Sequence, residues 1–287
     1  MKKFLAPLFI FLLSLSSLNA ESLRLELNEL NKNISKYKIL DVRDKEVYSF
    51  EHLPNAHNLH VNLTYNNKSI DGKLTQPMKM QKILQNLGLN IDDHIVVYDD
   101  GTIFDASRVF WALEVYGFKN VKLLNGGYEQ WKQLGYPLTN KTPTTTKSDY
   151  IATINNKRLA TKFTTQIATR NPNQIIVDAR HRAAYVGEKS SAKRFGHIPK
   201  AIHIPAVHNI DKSKQASLLK SPEELKKLYD GIDKTKKVVI YCAIGRIAST
   251  NYFALRELGY NVSNYDASWK EWGNDFNLPI INKSKEK

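Results

Sequence analysis

Cysteine is almost missing from this sequence: Cys242 is the only one in 287 residues. A single cysteine makes no internal disulfide, and no Cys/His cluster has metal-ligand spacing. A Gly-rich dinucleotide fingerprint is missing too, so neither a metal nor an organic cofactor is expected. Past residue 20 no segment approaches the ~18 apolar residues of a membrane helix, and no stable membrane association is expected. The formal charge is +14, yet no Lys/Arg-rich tract is interleaved with aromatics. Nucleic acid is therefore not an expected partner. The scattered lysines make a solvated surface whose positive field favours small anionic substrates.

What is present begins with MKKFLAPLFIFLLSLSSLNA. Two lysines, a short apolar stretch and small residues ending at Ala20 have the layout of a secretory signal peptide, cut before Glu21. The protein is expected to be exported and periplasmic. Exported proteins usually pair their cysteines, so Cys242 is either a small buried hydrophobe or a reactive thiol.

The rest of the chain repeats itself. KILDVRDKEVYSFEHLPNAHNLHV, starting at Lys38, can be laid over QIIVDARHRAAYVG and RFGHIPKAIHIPA, starting at Gln174 and Arg194. Further on, the stretch from His94 to Leu138 matches the stretch from Lys237 to Ile280. Asp41 and Asp178 lie 137 residues apart, Tyr98 and Tyr241 143 apart. A period this long marks duplicated domains and not a solenoid. Short β-like runs alternate with helical patterns, such as Ala106, Val109, Phe110, Leu113 and Tyr116. The expected fold is α/β: two tandem domains, each a parallel sheet covered by helices on both faces. The expected boundaries are a leader at 1–20, a first domain at 21–139, a linker at 140–159 and a second domain at 160–287. The threonine-rich TNKTPTTTKSDY supplies the linker.

In VVIYCAIGRIAST an apolar run delivers Cys242 to a short loop, and Ile247, Phe253, Leu255 and Leu258 then stand at helical spacing. Ligands of parallel sheets sit beyond the carboxyl ends of the strands. The free N–H groups of the following helix, a left-handed Gly245 and the cation Arg246 would together favour a thiolate there. Asp99 holds the matching place in the first half, which implies a polar, accessible loop in both. Cysteine phosphatases need an arginine six residues past the nucleophile, where this chain has Ala248. Sulfur transfer through an enzyme persulfide fits the tighter loop.

These motifs together resemble the two-domain rhodanese-like sulfurtransferases, that is, thiosulfate and 3-mercaptopyruvate sulfurtransferases. The resemblance runs from about Ser22 to Ile281 and rests on LDVRDKEVY, EHLPNA, FDASRVFWALEVYG, LLNGGYEQW, VDAR, GHIPKA, the Cys242 loop and YDASWKEWGN. It implies two tandem rhodanese-like domains, a first domain without a nucleophile and a catalytic Cys242 in the second, in the crevice between them. The donor implied is a small anionic sulfur compound and the acceptor cyanide or a thiol, including a protein thiol. A non-catalytic persulfide carrier serving a redox partner remains the alternative. Loops of rhodanese proper resemble Cys-Arg-Lys-Gly-Val-Thr and mercaptopyruvate loops Cys-Gly-Ser-Gly-Val-Thr. Here Ala243, Ile244, Gly245, Arg246, Ile247 and Ala248 follow the cysteine, and these amides with Arg246 are expected to hold the donor. The family's arginine before the aromatic of the DAR segment is Ala184, so Arg182 and Arg194, close in sequence, are the expected substitutes. The resemblance also places Asp41 and His52 near the site as possible accessory groups. Their recurrence as Asp178 and His197 equally suits a scaffold role, as does pairing of Arg43 and Arg180 with neighbouring carboxylates. Trp269 and Trp272, three residues apart, read as core, with Trp269 a candidate wall of the site.

Overall fold

The structure is a computed structural model that describes residues 22–67, 71–211 and 218–285. The expected leader lies outside the described residues. The first half runs β1 (Arg24–Glu26), α1 (Leu27–Asn33), β2 (Lys38–Asp41), α2 (Lys45–Phe50), β3 (Ala56–Asn58), α3 (Pro77–Asn86), β4 (Ile95–Tyr98), α4 (Phe104–Val115), β5 (Val121–Asn125) and α5 (Tyr128–Gln133). The second runs β6 (Leu159–Ala160), α6 (Lys162–Ala168), β7 (Gln174–Asp178), α7 (Arg182–Tyr185), β8 (Ile202–His203), β9 (Ile210–Asp211), β10 (Leu218–Leu219), α8 (Pro222–Leu228), β11 (Lys237–Tyr241), α9 (Ala248–Glu257), β12 (Val262–Tyr265) and α10 (Ser268–Trp272). Each half builds one five-stranded sheet, ordered β1-β5-β4-β2-β3 and β6-β12-β11-β7-β8. Every pairing within the two sheets is parallel, and β9 and β10 form a small antiparallel ribbon beside the second.

Alternation along the strands sorts side chains into separate cores. In β4, Ile95 and Val97 face a central cluster shared by the two domains, while Val96 and Tyr98 face an outer one. In β11, Val238 and Ile240 face the centre, and Val239 and Tyr241 face outward. One step past β11, the same period turns Cys242 toward the centre. Helices cover both faces of each sheet as expected, with α4 and α9 meeting in the middle. Phe110 and Phe253, equivalent positions of the repeat, touch there edge-to-face at 5.0 Å.

The linker region carries no helix or strand from 140 to 158, and Leu159 already belongs to β6. It is tied to the first domain: the Tyr150 hydroxyl donates to the Tyr116 carbonyl (2.6 Å) and the Asn155 amide to Val115 (2.7 Å).

Candidate active site

Cys242 lies fully buried between the end of β11 and the start of α9. Its amide donates to the Ser268 hydroxyl at 3.1 Å, and its carbonyl accepts from the Trp269 amide at 3.0 Å. Ser268 donates in turn to the Tyr265 carbonyl at 2.7 Å and has a left-handed φ of 53°. A non-glycine residue held there is strained, so the turn is fixed by its surroundings. Gly245 has φ +71°, and a Cβ on it would lie 2.4 Å from the Asp266 carbonyl oxygen. The loop therefore needs glycine for backbone conformation and for space. The Gly245 carbonyl accepts from Arg108 Nη1 (3.2 Å), Asn264 Nδ2 (3.0 Å) and Ser249 Oγ (2.9 Å). With the carbonyl anchored this way, the amides from Ala243 to Ala248 have no acceptor among the described residues. Gly245 and Ala248 are buried among these six residues, and successive unpaired amides in a loop of this kind can accept an anion.

The first half has the same cradle filled by its own side chain. Asp99 accepts from the amides of Gly101 (2.8 Å), Ile103 (3.0 Å), Asp105 (3.2 Å) and Ala106 (3.2 Å). Shifted by the repeat, these amides correspond to Ile244, Arg246, Ala248 and Ser249, of which the first three are open in the second domain. Burial raises the Asp99 carboxyl to about 6, aided by Asp100 and opposed by the loop amides. The Asp99 and Cys242 side chains are buried, while Asp100 and Thr102 of the first loop and Arg246 of the second are exposed. The polar character does hold.

The first domain reaches across to the loop with residues that sequence reading passed over. Arg108 of α4 is fully buried with no carboxylate partner among the described residues; its guanidinium donates to Gly245 O, Gly72 O (3.1 Å) and Thr64 Oγ1 (3.3 Å). It also stacks on Tyr65 and Trp111, each 4.5 Å from its carbon. A Cβ at Gly72 would meet the Ile244 carbonyl at 2.8 Å, so this turn lies directly on the Cys242 loop. The Leu74 amide donates to Asp266 Oδ2 at 3.1 Å. The signal available for Arg108 was an arginine set inside the buried pattern of Ala106, Val109 and Phe110.

A profile of the Rhodanese-like domain matches residues 26–134 and again 160–275. The chain belongs to the rhodanese-like family. A provisionally named thiosulfate sulfurtransferase of Haloferax volcanii is 30% identical over 274 residues, 91% of this chain and 94% of its own. The sulfur carrier protein TtuD of Thermus thermophilus is 31% identical, over 85% of this chain and 90% of its own. Among solved structures, SseA of Escherichia coli, described as a 3-mercaptopyruvate sulfotransferase with the rhodanese fold, superposes with TM-score 0.76 at 25% identity. That match covers 86% of this chain and 99% of SseA.

Within this rhodanese-like frame several expected site residues have other work. Arg246 is paired with Asp105 of the first domain, Nη2 to Oδ2 at 2.6 Å, so it is not a free cation for the donor. Its side-chain bond to Asp105 raises it above the usual guanidinium value. Arg194 donates to the carbonyls of Leu278 (2.7 Å), Trp272 (2.9 Å), Gly273 (3.3 Å) and Asp275, which ties the end of α10 to the chain after it. Four of its five N–H donors are used this way, which leaves one on Nη1 and no bidentate face for a carboxylate. Arg182 opens α7 on the surface, with no side-chain bond among the described residues. Asp41 is bound by Arg43 (2.6 Å) and the Tyr98 hydroxyl (2.5 Å). His52 stacks on Tyr48 and bonds the Tyr48 and Lys141 carbonyls. Asp178, Arg180, Tyr241 and His197 repeat these contacts in the second domain, which is what a scaffold role for Asp41 and His52 requires. Trp269 and Trp272 are core, and the Trp269 ring lies 4.5 Å from the Arg180 guanidinium.

Proposed function

We propose that this sulfurtransferase takes the sulfane sulfur of thiosulfate onto Cys242 and passes it to cyanide or a thiol. The thiolate attacks the outer sulfur, a new S–S bond forms, and the bond to the sulfonate sulfur breaks. Sulfite leaves with that electron pair, and the negative charge comes to rest on the terminal sulfur of the persulfide. Cyanide or a thiolate then attacks that sulfur and regenerates the Cys242 thiolate, a two-step covalent mechanism. The reading rests on the open amides from Ala243 to Ala248, donors preorganised for charge on sulfur in both steps.

Thiosulfate is preferred here over 3-mercaptopyruvate because a carboxylate donor calls for a bidentate arginine. Arg194 is bound to carbonyls and position 184 is alanine. The SseA neighbour makes mercaptopyruvate the donor to compare, and the TtuD relative makes a carrier role the second reading. Export to the periplasm by the leader sequence is part of the proposal.

Intact mass after incubation with thiosulfate should show one added sulfur on the wild type and none on Cys242→Ser. Thiocyanate release should vanish in that variant while its fold is kept. Substantial thiocyanate from pure Cys242→Ser would sink the mechanism. Loading without steady turnover on thiosulfate and cyanide would favour the carrier. With cyanide as common acceptor, kcat/KM for thiosulfate should exceed that for 3-mercaptopyruvate.

A further inference from the structure

Tyr65 follows a 3-10 turn (Val61–Thr64) of the first domain and is almost fully buried. Its amide bonds the Asn62 carbonyl (3.2 Å), its carbonyl accepts from Thr75 Oγ1 (2.7 Å), and Arg108 lies over its ring. Backbone and ring are therefore both held in place. The hydroxyl, in contrast, has no hydrogen-bond partner among the described residues. Among the buried tyrosines this sets it apart, because the hydroxyls of Tyr98, Tyr116, Tyr229, Tyr241 and Tyr252 all have one. A buried hydroxyl without an acceptor bears its full desolvation cost, and such a group in a native fold calls for a reason.

Its neighbours supply the reason. Arg108, whose guanidinium lies 4.5 Å over the Tyr65 ring, also donates to the Gly245 carbonyl of the Cys242 loop at 3.2 Å. The charges felt at its hydroxyl are those of Arg108, Cys242, Arg246 and Asp105, the groups that surround the sulfur loop. A sulfane sulfur on Cys242 would stand one S–S bond, about 2 Å, beyond Sγ.

We propose that the Tyr65 hydroxyl donates a hydrogen bond to the sulfane sulfur carried by Cys242. The proposal rests on the persulfide reading above. On loading, the charge that arrives on the terminal sulfur gives the hydroxyl the acceptor it lacks in the free enzyme. The phenol keeps its proton throughout, and burial raises it above the usual tyrosine value, which suits a donor. The first domain thus contributes a catalytic group across the crevice although it has no nucleophile.

Tyr65→Phe isolates this hydroxyl, since the ring and its Arg108 contact stay. The melting temperature should be unchanged or higher, because a buried group without a partner is removed. Single-turnover loading from thiosulfate should slow by roughly 10- to 100-fold, the scale of one hydrogen bond to a charged acceptor. The loaded persulfide should also lose its sulfur faster than in wild type. Equal loading rate and equal persulfide lifetime in the two proteins would overturn the proposal. So would a large drop in melting temperature, which would make the hydroxyl a structural anchor. A wild type that loads no sulfur at all overturns the persulfide reading and this one with it. A wild type that loads beside an equally fast Tyr65→Phe variant overturns the tyrosine alone.

Discussion

Asp99 occupies in the first domain the place that Cys242 occupies in the second, and its burial gives it a distinct titration. Its folded value is raised to about 6, against 3.8 for an ordinary aspartate. The folded state therefore binds this proton more readily than the unfolded chain does. The resulting stability is fully present below about 3.8 and is lost as pH rises through about 6, a change on the order of 3 kcal/mol. Unfolding free energies of wild type and Asp99→Asn, measured from pH 4 to pH 7, should diverge in slope across that window. Parallel profiles would show that Asp99 does not titrate there. Single residues were unevenly legible in the sequence. Cys242 stood out because it is unique and follows an apolar run in front of a helix. Ser268 and Arg108 reach the same loop from distant positions, and only the apolar neighbours of Arg108 hinted at its burial. For Arg246 and Arg194, nearness in sequence to an anion site says nothing of Asp105, or of the carbonyls after α10, which compete for them.

At the level of elements, the paired α4 and α9 explain where hydrophobic patterning runs out. Apolar residues at helical spacing were visible in each, and that spacing says nothing of the polar residues between them. In the structure Ser107, Ser249, Thr250 and Asn251 are all fully buried, because each helix has its own sheet on one side and the other domain's helix on the other. Asn251 Nδ2 donates to the Ile204 carbonyl at 2.9 Å, and Ser249 donates to Gly245 and accepts from Asn264. The parallel sheet in each half, by contrast, followed from the repeat and the β/α alternation. Phe110 and Phe253 cross at 80° where the two helices meet. Phe110→Ala and Phe253→Ala should each cost about 3–5 kcal/mol. Contact between the rings implies a coupling of ~0.5–1.5 kcal/mol in the double mutant. Denaturant unfolding of the four proteins measures it, and strictly additive losses would mean that the rings act independently.

For the whole molecule, the decisive fact is that residues of both domains hold the Cys242 loop. One central apolar cluster draws residues from each half. Glu114 holds Arg256 (2.7 Å) and accepts from the Tyr252 hydroxyl (2.5 Å), and Arg24 pairs with Glu257. Duplication was legible in the sequence, but the joint was not, since neither half's pattern encodes the other's position. The Arg246–Asp105 pair spans the same joint at a more exposed place. If Arg246 served the donor directly, Asp105→Ala would free its charge and raise kcat/KM for thiosulfate, while Arg246→Ala would lower it. A clamp between domains requires the two variants to behave alike. We expect the clamp: each single variant should lose up to about fivefold in kcat/KM, and the double variant no more than either one. That matches a partly exposed ion pair worth roughly 1 kcal/mol or less, expressed through the position of the loop it holds. Kinetics of the three variants at one ionic strength decide the matter, because the two roles give Asp105→Ala opposite signs.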